Sequence, residues 1–183
     1  MAASSTSYSK LQIALHWLIA TLVVFQLLAG ESMTATVDAL ADGGQPSAAD
    51  QTLASVHYWI GLSILVLALF RLGLRATSGT PVPDPATPSW MALAAKATHW
   101  AFYGLLFATP ITGLLAYYLW DWMGDVHALA KPVFIAFIGI HAAAALFHHF
   151  VLRDTTLRRI LVPSPAAPHT STARTSHTPA STE

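Results

Sequence analysis

Apolar residues run along this chain in four long blocks, each close to the roughly 20 residues a helix needs to cross a bilayer. The blocks cover about residues 11–30, 56–74, 99–120 and 126–151. Polar positions gather between them, chiefly in residues 31–55, in a proline-rich connector at 77–89, and after residue 162. Each block is too long for an ordinary strand, and inside lipid a helix satisfies its own backbone. Four transmembrane helices are therefore predicted. Pro110 and Pro132 lie inside the third and fourth blocks and predict local kinks. The connector predicts extended backbone. Residues 163–183, "PSPAAPHTSTARTSHTPASTE", lack large apolar side chains and predict a disordered tail, with His169 and His177 in it. The expected organisation is one helical domain over residues 1–162 followed by that tail, without internal repeats.

A cleavable signal peptide competes for the first block, and "ALA" at residues 39–41 loosely resembles a cleavage site. The apolar run is longer than the about 7–15 residues of a signal's apolar region, so it is read as a span.

Composition sharpens the class. Of 183 residues, 54% are hydrophobic and 10% charged, against roughly 25% charged in soluble domains. The formal net charge is zero, which gives no reason to expect nucleic acid as a partner. There are no cysteines. Disulfides, thiolate zinc sites, iron–sulfur clusters and covalent haem attachment are excluded. The charges also carry direction. Lys10, Arg71, Arg75, Lys96, Arg153, Arg158, Arg159 and Arg174 flank one side of the spans. Glu31, Asp38, Asp42, Asp50, Asp121 and Asp125 flank the other, with Lys131 alone nearby. The positive-inside rule then puts both termini in the cytoplasm. Trp59, Trp90, Trp100, Trp120 and Trp122 fall near span ends, as an interfacial aromatic belt requires.

Nine histidines equal the lysines and arginines together, and several lie inside the apolar blocks, where ionisable groups are expensive. Helical rise converts their positions into depth. His57 and His127 open the second and fourth blocks at the outer edge. His141 lies 14 residues beyond His127, roughly 21 Å deeper. His16 precedes Glu31 by 15 residues, roughly 22 Å from the outer end. His57 thus shares a level with His127, and His16 with His141. Fourteen residues is nearly four whole turns, so His127 and His141 share a face with Phe134 and Ile138.

Two opposed imidazoles at each of two levels in a dry bundle fit two haem irons held by bis-histidine ligation. Ligation removes the cost of an unsatisfied polar nitrogen in lipid. With no cysteine attachment each haem would be b-type. The bland alternative, four hydrogen-bonded core histidines, has to recur at matched depths. A non-redox metal site, such as zinc transport, is the other rival, although the spans bring no midplane carboxylates. His99 and His148 fall near the inner interface. They could bind a quinone head group or move its protons, or simply contact water. Arg71, 14 residues after His57, reaches the inner level. It could pair with a haem propionate or snorkel to head groups. Lys131 and Arg75 are read as snorkelling or topology-setting groups.

Four stretches carry a resemblance: "YSKLQIALHWL" at residues 8–18, "HYWIGLSILVLALFRLGLR" at 57–75, "ATPITGLLAYY" at 108–118 and "IGIHAAAALFHHFVLRDTTLRRILVP" at 138–163. Together they resemble the bacterial di-haem cytochrome b-561 family, including its superoxide oxidase-like members. They are also similar to the haem b subunits of formate dehydrogenases and nickel–iron hydrogenases. The resemblance implies an all-α integral membrane four-helix bundle enclosing two b-type haems, in the bacterial inner membrane. It implies that His16 and His141 hold the cytoplasmic-side haem and His57 and His127 the periplasmic-side haem. It implies electron transfer from a periplasmic donor, superoxide in some members, to ubiquinone, with His148 at the quinone site. The chain departs from that pattern in its short connection at residues 121–125, in a longer acidic first outer loop, and in a connector without lysines, "TPVPDPATPSW". An acidic outer face slows an approaching anion. Three functions follow as expectations: a superoxide:ubiquinone oxidoreductase, a cytochrome b subunit serving a separate redox partner, and a non-redox metal-binding membrane protein.

Overall fold

A computed structural model describes residues 7–81 and 87–163. The predicted tail, with His169, His177 and Arg174, lies almost wholly outside the described residues, as does the middle of the proline-rich connector. The described chain is helical throughout, in the order α1 (Lys10–Ala41), α2 (Ala48–Ser78), α3 (Ser89–Tyr118), α4 (Met123–Ala128), α5 (Ala130–Phe150) and α6 (Thr156–Leu161). Four segments are long and apolar enough to cross a membrane: α1, α2, α3, and α4 with α5 as Met123–Phe150. Their outer surfaces carry exposed large apolar side chains such as Leu28, Phe70, Trp90 and Phe150, which lipid would cover.

Helix ends follow local chemistry. Ser9 and Gln12 form a capping box at the start of α1, with Gln12 N–H donating to Ser9 Oγ at 3.2 Å and Ser9 N–H to Gln12 Oε1 at 3.0 Å. Gln12 is buried, and its Nε2 also donates to the Gly79 carbonyl at 3.2 Å. One side chain thus ties the start of α1 to the end of α2. Ser47 caps α2 by accepting from Asp50 N–H at 3.1 Å. Gly79 ends α2 at φ 71°, a left-handed conformation that suits glycine.

The apolar blocks prove to be the centres of longer helices. Residues 31–55, expected as a loop, are helical through Ala41 and again from Ala48. The 32 residues of α1 span about 48 Å, well beyond a hydrocarbon core of about 30 Å. The stretch "ESMTATVDALA" loses the membrane pattern but keeps good helix formers. Likewise α3 starts at Ser89, ten residues before the apolar block. Near Pro132 the helix is irregular: α4 gives way to α5 at Leu129, whose backbone stays in the right-handed helical region. Pro132 lacks an N–H and its ring crowds the carbonyl four residues earlier.

The helices run up and down. The start of α1 and α6 meet at one end of the bundle, where Ser7 Oγ donates to the carbonyls of Arg159 and Val162, and Trp17 Nε1 to that of Ile160. This terminal end is basic. The opposite end, at the α1–α2 turn, is acidic, and there Lys131 Nζ meets Glu31 Oε1 at 2.7 Å. The centre is one apolar layer of Ile19, Val23, Ile64, Ala68, Leu106 and Phe134, drawn from α1, α2, α3 and α5. Ala68 is fully buried, and its small side chain permits close approach of helices.

Candidate functional site

In α1, α2 and the α4–α5 segment, the buried layer interrupts a sequence that carries a histidine on one side of it. His16 precedes Ile19 on α1, His57 precedes Ile64 on α2, and Phe134 stands midway between His127 and His141. The structure brings these four rings together in two pairs, one on each side of the layer. His57 and His127 have ring centres 6.0 Å apart, and His16 and His141 6.5 Å apart. Two metal–nitrogen bonds of about 2 Å each, with ring centres about 1 Å beyond the nitrogens, add to about 6 Å. Both separations therefore fit a single iron between opposed imidazoles.

The pair at the turn end lines a cavity of about 650 Å³, with Gly30, Gly61, Gly113 and Gln26 among its walls. Its size falls within the range of cofactor pockets. His127 Nδ1–H donates to the Thr109 carbonyl at 2.9 Å. That bond fixes the ring and leaves Nε2 free to ligate. The same carbonyl accepts from Thr112 Oγ1 at 2.8 Å, beside the helix defect that Pro110 imposes on α3. Glycine is needed at 113: a Cβ there would stand 3.0 Å from Cε1 and Nδ1 of His127. At Gly61 a Cβ would meet Gln26 Nε2 at 3.2 Å. That amide donates to the His57 carbonyl at 2.8 Å. Gln26 Oε1 and His57 Nδ1 are buried without hydrogen-bond partners. Acidic Glu31, Asp38, Asp121 and Asp125 share the cavity's lining with Lys131.

The pair at the terminal end is more crowded. His141 has Phe102 at 5.3 Å and His99 at 5.6 Å between ring centres. His99, expected near the inner interface, packs against His141. Its Nδ1–H donates to the Ala95 carbonyl at 2.7 Å. Arg71 donates to the Gln12 carbonyl at 2.8 Å and lies 3.5 Å from His16 Nδ1. The second contact is at the outer limit of a hydrogen bond. Ligation of His16 through Nε2 requires a proton on Nδ1, so Arg71 would then keep only its bond to the α1 backbone.

His148 takes a different partner. Its Nδ1 bonds Asp154 Oδ2 below the last turn of α5, and neither His99 nor Arg71 is among its hydrogen-bond partners. Lys131 forms an exposed ion pair with Glu31 that ties α5 to α1. The residues that sequence reading missed are Gln26, Thr109, Gly113 and Asp154. Only Gly113 left a visible trace, as the glycine following Pro110 in "TPITG".

The chain matches the family model for prokaryotic cytochrome b561 over residues 7–162. Cytochrome b562 of Cereibacter sphaeroides is 36% identical over 160 residues, covering 85% of this chain and 96% of that protein. A probable superoxide oxidase, CybB, of Yersinia pestis is 32% identical over 178 residues, with 84% and 95% coverage. Cytochrome b561 homolog 1 of Escherichia coli strain K12 is 29% identical over 178 residues, with 84% and 96% coverage. A match over nearly the whole four-helix bundle, by a chain that pairs its intramembrane histidines, makes this protein a member of the prokaryotic cytochrome b561 family, a transmembrane electron-transfer cytochrome with b-type haem.

Proposed function

We propose that the chain carries electrons across the membrane between a periplasmic donor and quinone, through two b-type haems held by His57 with His127 and by His16 with His141. The observation that supports this reading most is the placement of two facing imidazole pairs on opposite sides of one apolar layer. Each haem, held by its pair of imidazoles, would supply a one-electron iron couple suited to electron transfer.

The chain's own residues do the positioning. Thr109 sets the tautomer of His127. Gly113 leaves room for that ring, and Gln26 braces the helix turn that carries His57. The layer around Phe134 and Leu106 keeps water from the space between the pairs. The excess of basic residues at the terminal end puts that end, with residues 1–162 as one domain before a cytoplasmic tail, on the cytoplasmic side. His148, with His99 and Arg71 nearer the haem, then serves quinone at the cytoplasmic face.

Superoxide is the donor that the name of the Yersinia pestis relative supports. A second reading, a separate cationic redox partner, is favoured by Asp38, Asp121 and Asp125 in the lining of the turn-end cavity. Like charge slows superoxide and attracts a basic protein. Stopped-flow mixing of oxidised protein with superoxide, with quinol formation followed alongside, decides between them. Rapid haem reduction and quinol formation support the first. Haems that stay oxidised under superoxide yet are reduced by a basic one-electron protein, with rates falling steeply in salt, support the second.

A further inference from the structure

The strongest feature outside the histidine pairs is the join between His148 and Asp154. His148 lies in the last turn of α5, and the chain then turns back over residues 151–155. Arg153 makes that turn possible by adopting φ 54°. For a residue with a side chain, the left-handed conformation costs about 1–2 kcal/mol, and such strain collects where the fold needs a particular geometry. Here it returns the Asp154 carboxylate to the His148 ring. Asp154 N–H donates to the His148 carbonyl at 3.1 Å. Asp154 Oδ2 bonds His148 Nδ1, and Oδ1 accepts from the Thr156 N–H at 2.8 Å. The side chains are 16% and 14% exposed. Both carboxylate oxygens and one imidazole nitrogen are thus committed, which leaves His148 Nε2 as the working atom.

We propose that Asp154 is a positioning residue for proton delivery to quinone by His148. This rests on the reading of the terminal end as the quinone face. Reduction of one quinone takes two electrons, which the bound haems would supply, and two protons. His148 Nε2–H gives one proton to a quinone oxygen, breaking N–H and forming O–H. The ring is reprotonated from cytoplasmic water, which also supplies the second proton. Asp154 stays ionised and holds the ring in one orientation, as the carboxylate of a catalytic triad does. Burial opposes ionisation of Asp154, but hydrogen bonds from His148 and Thr156 outweigh it and hold its carboxyl below the ordinary range.

The test is single turnover of the haem-loaded protein, reduced beforehand with dithionite and mixed with a short-chain ubiquinone. Haem reoxidation in Asp154→Asn should slow about 100-fold, with haem per chain, spectrum and half-saturating quinone concentration unchanged. Asp154→Glu should recover part of the rate. Combined with His148→Gln, Asp154→Asn should cost nothing further, because both act through one proton. Wild-type rates in Asp154→Asn, or losses that multiply in the double variant, would overturn the inference alone. Wild-type protein whose haems ubiquinone does not oxidise would overturn the quinone reading and this inference with it. If Asp154→Asn does not assemble with haem, the cycle of Asp154→Glu with His148→Gln decides on the same criterion.

Discussion

Gly113 of α3 faces the imidazole of His127 so closely that a Cβ at that position would lie 3.0 Å from two of its ring atoms. The ring cannot retreat freely, since its Nδ1–H is bound to the Thr109 carbonyl four residues back on the same helix. Overpacking of this kind costs about 1–3 kcal/mol. Gly113→Ala should therefore displace His127 and lower haem content to about one per chain, with the His16–His141 site intact. Pyridine haemochrome assay against protein concentration checks this.

His99 and His16 both approach His141, with ring centres at 5.6 and 6.5 Å. Both separations lie close to the about 6 Å that an iron between two imidazoles requires, so spacing alone does not choose between them, and His16 is the proposed partner. His99→Ala should leave haem content at the wild-type value and shift one midpoint potential, read by optical redox titration. Loss of a haem in that variant would make His99 the partner of His141.

Gln12 is a buried polar side chain that serves the Ser9 N–H and the Gly79 carbonyl at once. Gln12→Ala removes half of a capping box and the bond to the Gly79 carbonyl. The cost should be about 1–3 kcal/mol, seen as a lower thermal midpoint in detergent. Lys131→Ala, by contrast, breaks only an exposed ion pair. Such pairs contribute little, and no change in midpoint or haem content is expected.

The depressed carboxyl of Asp154 sets a pH dependence at the terminal end. A carboxyl held below its unfolded value stabilises the fold fully above that value and ceases to do so as pH falls through the folded one. Acidification below the ordinary carboxylate range should weaken the Asp154 anchor on Thr156 and loosen α6. Hydrogen exchange of residues 156–161 should rise there in the wild type. In Asp154→Asn it should already be raised near neutral pH and change little on acidification.

Much of this arrangement is legible in the sequence. Helical rise is fixed, so counting residues puts the His16 ring with His141 and the His57 ring with His127, and the rings stand in those pairs. The apolar blocks located the spans but not the helix ends, because hydropathy fades at the membrane edge while helix propensity in "ESMTATVDALA" does not. Contacts made across helices, such as Gly113 with His127 or Gln26 with the His57 carbonyl, leave no periodic trace. The Asp154 turn depends on a left-handed arginine, which nothing in "VLRDTT" announces.

The central claim is two haems on two pairs of imidazoles, and the direct measurement is haem per chain in the four single His→Ala variants, each with its reduced-minus-oxidised spectrum. The wild type should hold two. His16→Ala and His141→Ala should each lose one and the same spectral component, and His57→Ala and His127→Ala the other. A wild type with one haem or none, or variants in which His16→Ala and His57→Ala empty the same component, would contradict the account.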